Sequence, residues 1–197
     1  MLSTEKILDI FQETQVLQEG HFLLTSGKHS NQYMQCAKIL QHPRLTETLC
    51  RELASRFKED EIHVVAAPAI GGILIAYEVA RILGTRMVFA ERENGKMTFR
   101  RGFEIKRDEK VLVVEDVITT GGSVREVIEA VTEKGAKIAG VGVFVDRSNG
   151  RVKFQAKTEA LLSMEIKSYE PAECPWCKQG LPIIKPGSRK SQCLEGE

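Results

Sequence analysis

The sequence lacks any apolar run long enough to cross a bilayer, since a membrane-spanning helix needs about 20 such residues in succession. Its first residues contain neither a cationic segment nor a long apolar stretch, so we expect no secretory signal. Internal repeats and low-complexity blocks are also missing, which argues against solenoids. The 197 residues, 42% of them hydrophobic and 28% charged, are typical of one globular domain of ordinary size.

The net charge is only +1, because the chain contains 28 Lys and Arg residues and 27 Asp and Glu residues. This balance argues against a surface built throughout for nucleic acid, although it leaves room for a local cationic patch. The five cysteines form no even disulfide framework, and a domain of this size does not need one. We therefore expect a cytoplasmic protein with neither a membrane nor a nucleic acid as its partner.

Short apolar segments alternate with stretches of helical periodicity along most of the chain. The periodicity predicts helices at 4–15, from Pro43 onward, between Gly71 and Gly84, and from about 124 to 135, and a hairpin within 20–36. Strands are predicted at 62–67, 87–90, 111–114, 139–145 and 161–164. Alternating strands and helices predict an α/β fold whose central, mainly parallel sheet is flanked by helices.

Residues 111–123 carry the clearest chemical pattern. A β-branched strand is expected to end at Glu115 and Asp116, and a loop rich in Thr, Gly and Ser then begins a helix. Backbone amides at a helix N-terminus favour an anion, glycines let the backbone approach it closely, and two adjacent carboxylates suit sugar hydroxyls. The pattern therefore predicts a sugar phosphate site at the carboxyl end of the strand, where parallel sheets bind ligands.

This segment resembles the phosphoribosyl pyrophosphate (PRPP) signature of the type I phosphoribosyltransferases, and the resemblance extends from about residue 40 to 150. It implies that the loop holds the 5-phosphate, that the acidic pair contacts the ribose, and that Mg²⁺ accompanies the pyrophosphate without a protein ligand. The implied PRPP-binding residues are Glu115, Asp116, Val117, Ile118, Thr119, Thr120, Gly121, Gly122 and Ser123.

Two further segments resemble orotate phosphoribosyltransferases in particular. One is Phe22–Ser30 with Tyr33 after it, which in that family belongs to a small hood over the base. The other is Asp146-Arg147 at the end of a strand. The resemblance implies that Thr119, Tyr33 and Arg147 contact orotate, and a guanidinium is well suited to a carboxylate or a planar imide edge.

Residues 91–103 are polar and contain two glycines and four cations. Such a stretch is either a solvated loop or a mobile lid that closes over pyrophosphate and excludes water, and we favour the lid. The resemblance implies catalytic roles for Arg92 and Lys96, in a homodimer whose lid residues are shared between subunits. Lysines usual in the family are missing at Thr25 and near residue 67, so Lys28, Arg100 and Arg101 are candidates to compensate.

The tail holds four of the six prolines and three of the five cysteines. We expect one domain over 1–170, with a hood at about 16–36, and an irregular tail over 171–197.

Cys174 and Cys177 form half of a zinc site, with Cys193 the other nearby cysteine and a partner subunit an alternative source of ligands. We rank reduced thiols first, a structural metal second and redox chemistry third, because the motif lies in a Pro-rich segment. His29 is a candidate border of the base pocket, and His21 has no functional assignment.

Taken together, the resemblance implies transfer of a phosphoribosyl group from PRPP to orotate, giving orotidine 5′-monophosphate and pyrophosphate for pyrimidine synthesis. Two alternatives remain open on the residues alone. One is a phosphoribosyltransferase for another base, such as xanthine or uracil. The other is a PRPP-sensing regulator, although the sequence contains neither an added DNA-binding module nor a basic face.

Overall fold

The computed structural model describes residues 2–24 and 26–186. The chain divides into two compact units, each taken by itself below. The larger unit comprises the described residues up to Val16 together with Cys36–Glu165, and the smaller unit comprises Leu17–Gln35 and the described residues from Ile166 onward.

A six-stranded sheet forms the centre of the larger unit, in the spatial order β5-β4-β3-β6-β7-β8. All neighbouring strands are parallel except the antiparallel pair β4–β5, which confirms the predicted mainly parallel sheet. The strands are β3 (Val64–Pro68), β4 (Arg86–Glu93), β5 (Lys96–Phe99), β6 (Lys110–Ile118), β7 (Lys137–Asp146) and β8 (Thr158–Ser163).

Five helices belong to the same unit: α1 (Thr4–Glu13), α2 (Ala37–Leu40), α3 (Pro43–Ser55), α4 (Gly71–Leu83) and α5 (Gly122–Glu133). Ser3 caps the N-terminus of α1, since its side chain accepts a hydrogen bond from the Lys6 amide. Pro43 occupies the first turn of α3, where its missing N–H leaves no helical hydrogen bond unmade. Every residue of β3 and most residues of β6 and β7 are buried, as expected for strands covered on both faces.

The direction of the chain across this sheet reverses between β3 and β6. The unit β3–α4–β4 runs to one side and β6–α5–β7 to the other, while β3 and β6 are hydrogen-bonded neighbours. At such a switch point the two following helices diverge and leave a crevice at the carboxyl ends of the strands. The N-termini of α4 and α5 therefore both lie at this edge of the sheet.

Two expectations from the sequence were wrong in detail, and one short helix was not predicted. The strand predicted to end at the acidic pair continues to Ile118, because β7 pairs with it as far as the partners Ile118 and Asp146. Residues 96–99, expected to lie in an irregular polar stretch, form β5, a hairpin partner of β4 around a turn at Asn94-Gly95. The short helix α2 had no periodic signal because it spans only one turn.

The smaller unit contains the predicted hairpin, formed by β1 (Leu17–Leu23) and β2 (His29–Met34), with a register shift between Glu19 and Phe22. From the tail it contains a 3₁₀ turn (Pro171–Glu173) and the short helix α6 (Pro175–Lys178). Few apolar side chains are buried in this unit, and those described are Phe22, Met34, Ile166 and Cys174. Across residues 2–24 and 26–186, no helix has the length and apolar character needed to cross a bilayer.

Candidate active site

A pocket of about 270 Å³ lies at the carboxyl end of β6. Its lining includes Glu115, all of residues 117–123, which end β6 and form the following loop, and Arg92 at the end of β4. The described structure thus brings together most of the PRPP-binding residues that the sequence suggested. Asp116 is not among the lining residues, although it lies between two that are.

Residues 119–123 leave β6 and enter α5 by a turn that only glycine can make comfortably. Gly121 has φ +76°, and a Cβ atom at this position would lie 2.7 Å from Cγ1 of Val152. No side chain caps the first turn of α5. Because the first amides of a helix have no intrahelical acceptor, they are available to an anion in the pocket, together with the exposed hydroxyls of Thr119, Thr120 and Ser123.

The two carboxylates of the acidic pair are largely removed from water. Glu115 is 8% exposed, and burial, reinforced by the negative charge of Asp116, raises its pKa to about 9. Burial also raises the pKa of Asp116, although its Oδ1 accepts a hydrogen bond of 2.7 Å from the Val117 amide. A buried acidic pair of this kind is stabilised by hydroxyl donors or by a nearby cation.

The start of α4 packs directly on the acidic pair, which sequence reasoning missed. A Cβ atom on Gly71 would lie 3.0 Å from Oδ2 of Asp116, and one on Gly72 would lie 2.7 Å from the Cβ of Ala67. Only glycines at both positions allow the backbone of α4 to approach β3 and β6 so closely. The sequence signal was the Gly71-Gly72 pair directly after a buried strand.

Arg147 follows the last residue of β7, and its amide donates to the Ile118 carbonyl at 2.8 Å. It belongs to a turn organised by Asp146, whose carboxylate accepts from the amides of Ser148 at 2.8 Å and Gly150 at 2.9 Å. The buried thiol of Cys36 responds to the charges of Arg147 and of the acidic pair. Burial raises the pKa of this thiol, the charges of Asp116 and Glu115 raise it further, and that of Arg147 lowers it.

The expected lid is an ordered hairpin formed by β4 and β5, and its cations are paired with carboxylates. Arg92 lies at the pocket and contacts Glu126 of α5 at 2.8 Å. Lys96 instead pairs with Glu133 at the far end of α5, which is about 16 Å from the phosphate loop for a helix of this length. Arg100 contacts Glu93 at 3.4 Å and Arg101 contacts Glu91 at 2.7 Å.

These ion pairs are mostly exposed and are therefore weak, so an incoming anion can replace the carboxylates. Lys96 lies apart from the pocket of its own chain, and its predicted role in catalysis stays a prediction.

The remaining candidates belong to the smaller unit. Tyr33 lies on β2, with its ring centroid 5.7 Å from that of Phe22. Lys28 contacts Glu170 at 2.8 Å. Thr25 and Cys193 lie outside the described residues. His21 and His29, for which the sequence suggested respectively no role and a place beside the base, meet Cys174 and Cys177 in one cluster.

Comparisons with known proteins agree with the resemblance found in the sequence. A family model described as a phosphoribosyl transferase domain matches residues 36–174. The chain is 62% identical over 189 residues to an orotate phosphoribosyltransferase of Pelotomaculum thermopropionicum, covering 96% of this chain and 100% of that relative. It is 58% identical to the orotate phosphoribosyltransferase of Desulforamulus reducens, covering 96% of this chain and 99% of that relative.

Solved structures show the same fold at low sequence identity. The orotate phosphoribosyltransferase of Aeropyrum pernix is similar with a TM-score of 0.68 at 22% identity, over 80% of this chain and 93% of that one. The adenine phosphoribosyltransferase of Rhodothermus marinus is similar with a TM-score of 0.65 at 18% identity, over 81% of this chain and 99% of that one. The expected type I phosphoribosyltransferase fold is thereby confirmed.

Proposed function

The chain belongs to the orotate phosphoribosyltransferase family, and from this premise we propose which of its residues perform the transfer. The reaction moves the 5-phosphoribosyl group of PRPP to N1 of orotate in pyrimidine biosynthesis. The C1–oxygen bond to pyrophosphate breaks, the bond between C1 and N1 forms, and the proton of N1 ends on the released pyrophosphate. Positive charge develops on the ribose ring between these events, so catalysis depends mainly on positioning and electrostatics.

The loop from Thr119 to Ser123 binds the 5-phosphate in this proposal. Support comes from the uncapped first turn of α5 and from the positive φ of Gly121, which together present amides and hydroxyls to one pocket. Glu115 and Asp116 hydrogen-bond the ribose hydroxyls, and the positive charge that develops on the ring favours their ionised forms, which in turn oppose that charge. Their burial makes this interaction strong because little water competes for the carboxylates.

Pyrophosphate binds between α4 and the lid cations in this proposal. The first turn of α4 is not capped by a side chain, and it lies against Asp116 on the opposite side of the switch point from α5. Two helix N-termini at one crevice suit a substrate with phosphoryl groups at both ends of a sugar. Arg92 supplies a cation at the pocket, and Lys96 supplies one to the site of a second subunit in a homodimer.

Exposed apolar side chains on and beside α4 support that dimer. Ile70, Leu74 and Tyr77 recur at helical spacing and are 83%, 51% and 60% exposed. We propose that the active protein is a cytoplasmic homodimer whose lid hairpins each serve the partner.

Mg²⁺ fits the chemistry of the pocket, whose lining offers carboxylate and hydroxyl oxygens and, among the described residues, neither thiol nor imidazole. The ion would be held mainly by substrate oxygens, and when bound it neutralises charge on the departing pyrophosphate. Arg147 and Thr119 bind orotate from the ends of β7 and β6, and Tyr33 contributes from the hood. A guanidinium matches the carboxylate of orotate in a bidentate manner.

The single observation that carries this assignment is the pocket at the carboxyl end of β6, in which Glu115 of the acidic pair meets residues 117–123. The experiment is orotate consumption, followed by its ultraviolet absorbance, with PRPP and Mg²⁺. Asp116→Asn and Arg147→Ala should each lower kcat/KM by at least about 100-fold, while Arg151→Ala, in the same turn as Arg147, should not. Wild-type activity in both site variants would refute the residue assignment, even though the family membership would stand.

A further inference from the structure

Four side chains of the smaller unit present nitrogen and sulfur atoms to one point. Nε2 of His21 lies 3.2 Å from Nδ1 of His29, 3.4 Å from Sγ of Cys174 and 3.6 Å from Sγ of Cys177. Nδ1 of His29 lies 3.1 Å from Sγ of Cys177. All four atoms lie within 4.8 Å of one another, and three of the residues are buried.

Three of these four separations agree with the edges of a zinc tetrahedron. Zinc binds imidazole nitrogen at about 2.0–2.1 Å and thiolate sulfur at about 2.3 Å, which gives edges of about 3.3 Å between nitrogens and about 3.6 Å between nitrogen and sulfur. The nitrogen–nitrogen distance and two of the three nitrogen–sulfur distances given above lie within about 0.2 Å of those edges. The fourth, from His29 to Cys177, is shorter by about half an ångström.

Hydrogen bonding of His21 leaves its Nε2 atom available as a ligand. Nδ1 of His21 lies 2.9 Å from the Leu181 carbonyl oxygen, to which only a protonated Nδ1 can donate. The proton of the neutral ring is then on Nδ1, and Nε2 directs a lone pair at the other three atoms. This arrangement, in which a backbone carbonyl fixes the tautomer, is usual for histidines that bind metal.

The backbone brings the four ligands together from distant parts of the sequence. Cys174 precedes α6 and Cys177 lies within it, so their three-residue spacing puts both sulfurs on one side of a single turn. His21 lies in the bulged part of β1, where the register shift redirects a side chain. The C-terminal segment of this unit is also hydrogen-bonded to both strands. Tyr169 pairs with His29 of β2, and Ile184 pairs with His21 and Leu23 of β1.

We propose that His21, His29, Cys174 and Cys177 bind one Zn²⁺ ion in a closed structural site. Four protein ligands leave no open position for water or substrate, so the ion is structural and takes no part in the transfer reaction. The smaller unit needs such a link because few of its described apolar side chains are buried, and a core of that size rarely holds a fold alone. The site requires neither Cys193 nor a partner subunit, and it is independent of the proposed function.

Metal content of the wild-type protein is the direct test. The full chain, produced without a polyhistidine tag in zinc-supplemented medium, should contain one zinc per chain by plasma mass spectrometry after dialysis. Cys177→Ser and His21→Gln should each lower that content by at least about tenfold. His42→Gln and Cys50→Ala, which change the same residue types elsewhere, should retain it.

Cobalt substitution gives a second readout that does not depend on activity. Co²⁺ bound by two thiolates and two imidazoles in a tetrahedron gives strong visible d–d bands and a sulfur-to-metal charge-transfer band. Trp176, the sole tryptophan of the chain, lies between the two cysteines with its ring 6.4 Å from that of His21, so removal of the metal should change its fluorescence. Reduced wild-type protein that binds neither zinc nor cobalt would overturn the proposal, as would a disulfide between Cys174 and Cys177 in the protein purified under air.

Discussion

The guanidinium of Arg92 donates a hydrogen bond of 2.8 Å to the carboxylate of Glu126, and both side chains line the pocket beside the phosphate loop. The lid hairpin is thus linked to α5 by an exposed ion pair that a phosphate can replace. Removing the cation should weaken PRPP binding. We expect Arg92→Ala to lower kcat/KM for PRPP by about 10- to 100-fold.

The matched control is Arg51→Ala, which removes an exposed arginine that is also paired with a glutamate but lies on α3. Steady-state kinetics with varied PRPP and saturating orotate distinguish the two variants. Equal kinetic constants for Arg92→Ala and the wild type would show that Arg92 does not meet the substrate.

Gly121→Ala should abolish PRPP binding and destabilise the fold. The substituted residue would need φ +76° and would place its Cβ 2.7 Å from Val152, so the loop must move. Gly84→Ala is the control, because Gly84 has φ +69° but nothing within 4 Å of a Cβ. We expect Gly84→Ala to cost about 1–2 kcal/mol of stability with unchanged KM, and Gly121→Ala to cost more and to lose PRPP protection in thermal unfolding. Similar behaviour of the two variants would contradict the role of the loop.

Glu115→Gln should increase stability at alkaline pH. The folded-state pKa of Glu115 is raised from 4.5 to about 9, so the unfolded chain ionises this group at a lower pH than the folded protein does. The free energy of unfolding of the wild type therefore falls as the pH rises from about 4.5 toward 9. A neutral glutamine removes this loss, and we expect the variant to be more stable by about 1–3 kcal/mol at pH 8 and equal near pH 4.

Urea unfolding at several pH values measures that difference, and Glu129→Gln, on the exposed face of α5, controls for loss of a charge. Parallel pH profiles for Glu115→Gln and the wild type would mean that the buried carboxylate is ionised in the folded protein.

Asp146→Asn should impair orotate binding through Arg147. The carboxylate of Asp146 accepts two amide hydrogen bonds that shape the turn after β7, and an asparagine side chain can accept only one of them. We expect a rise of about 3- to 10-fold in KM for orotate, with KM for PRPP unchanged. A rise in both constants, or in neither, would show that Asp146 does not act by positioning Arg147.

The sequence predicted the phosphate loop and the acidic pair because both lie within thirteen consecutive residues with a strong local pattern. It also predicted the mainly parallel sheet, which depends on the alternation of local strand and helix signals. The strand Lys96–Phe99 was not predicted because it has only four residues and polar neighbours. The contact between His21 and Cys174 could not be predicted from the sequence, since it depends on tertiary pairing between segments separated by about 150 residues.

The guanidinium proposed for the base lies on a different connection from the groups proposed for PRPP, although Thr119 is proposed to contact both substrates. The proposed groups for PRPP follow β3 and β6, whereas the proposed guanidinium for the base follows β7 in a turn of its own. Exchange of residues 146–150 should therefore weaken orotate binding without rebuilding the donor site. This modular layout gives one scaffold a simple evolutionary route between acceptors, and a similar fold is indeed found in an adenine phosphoribosyltransferase.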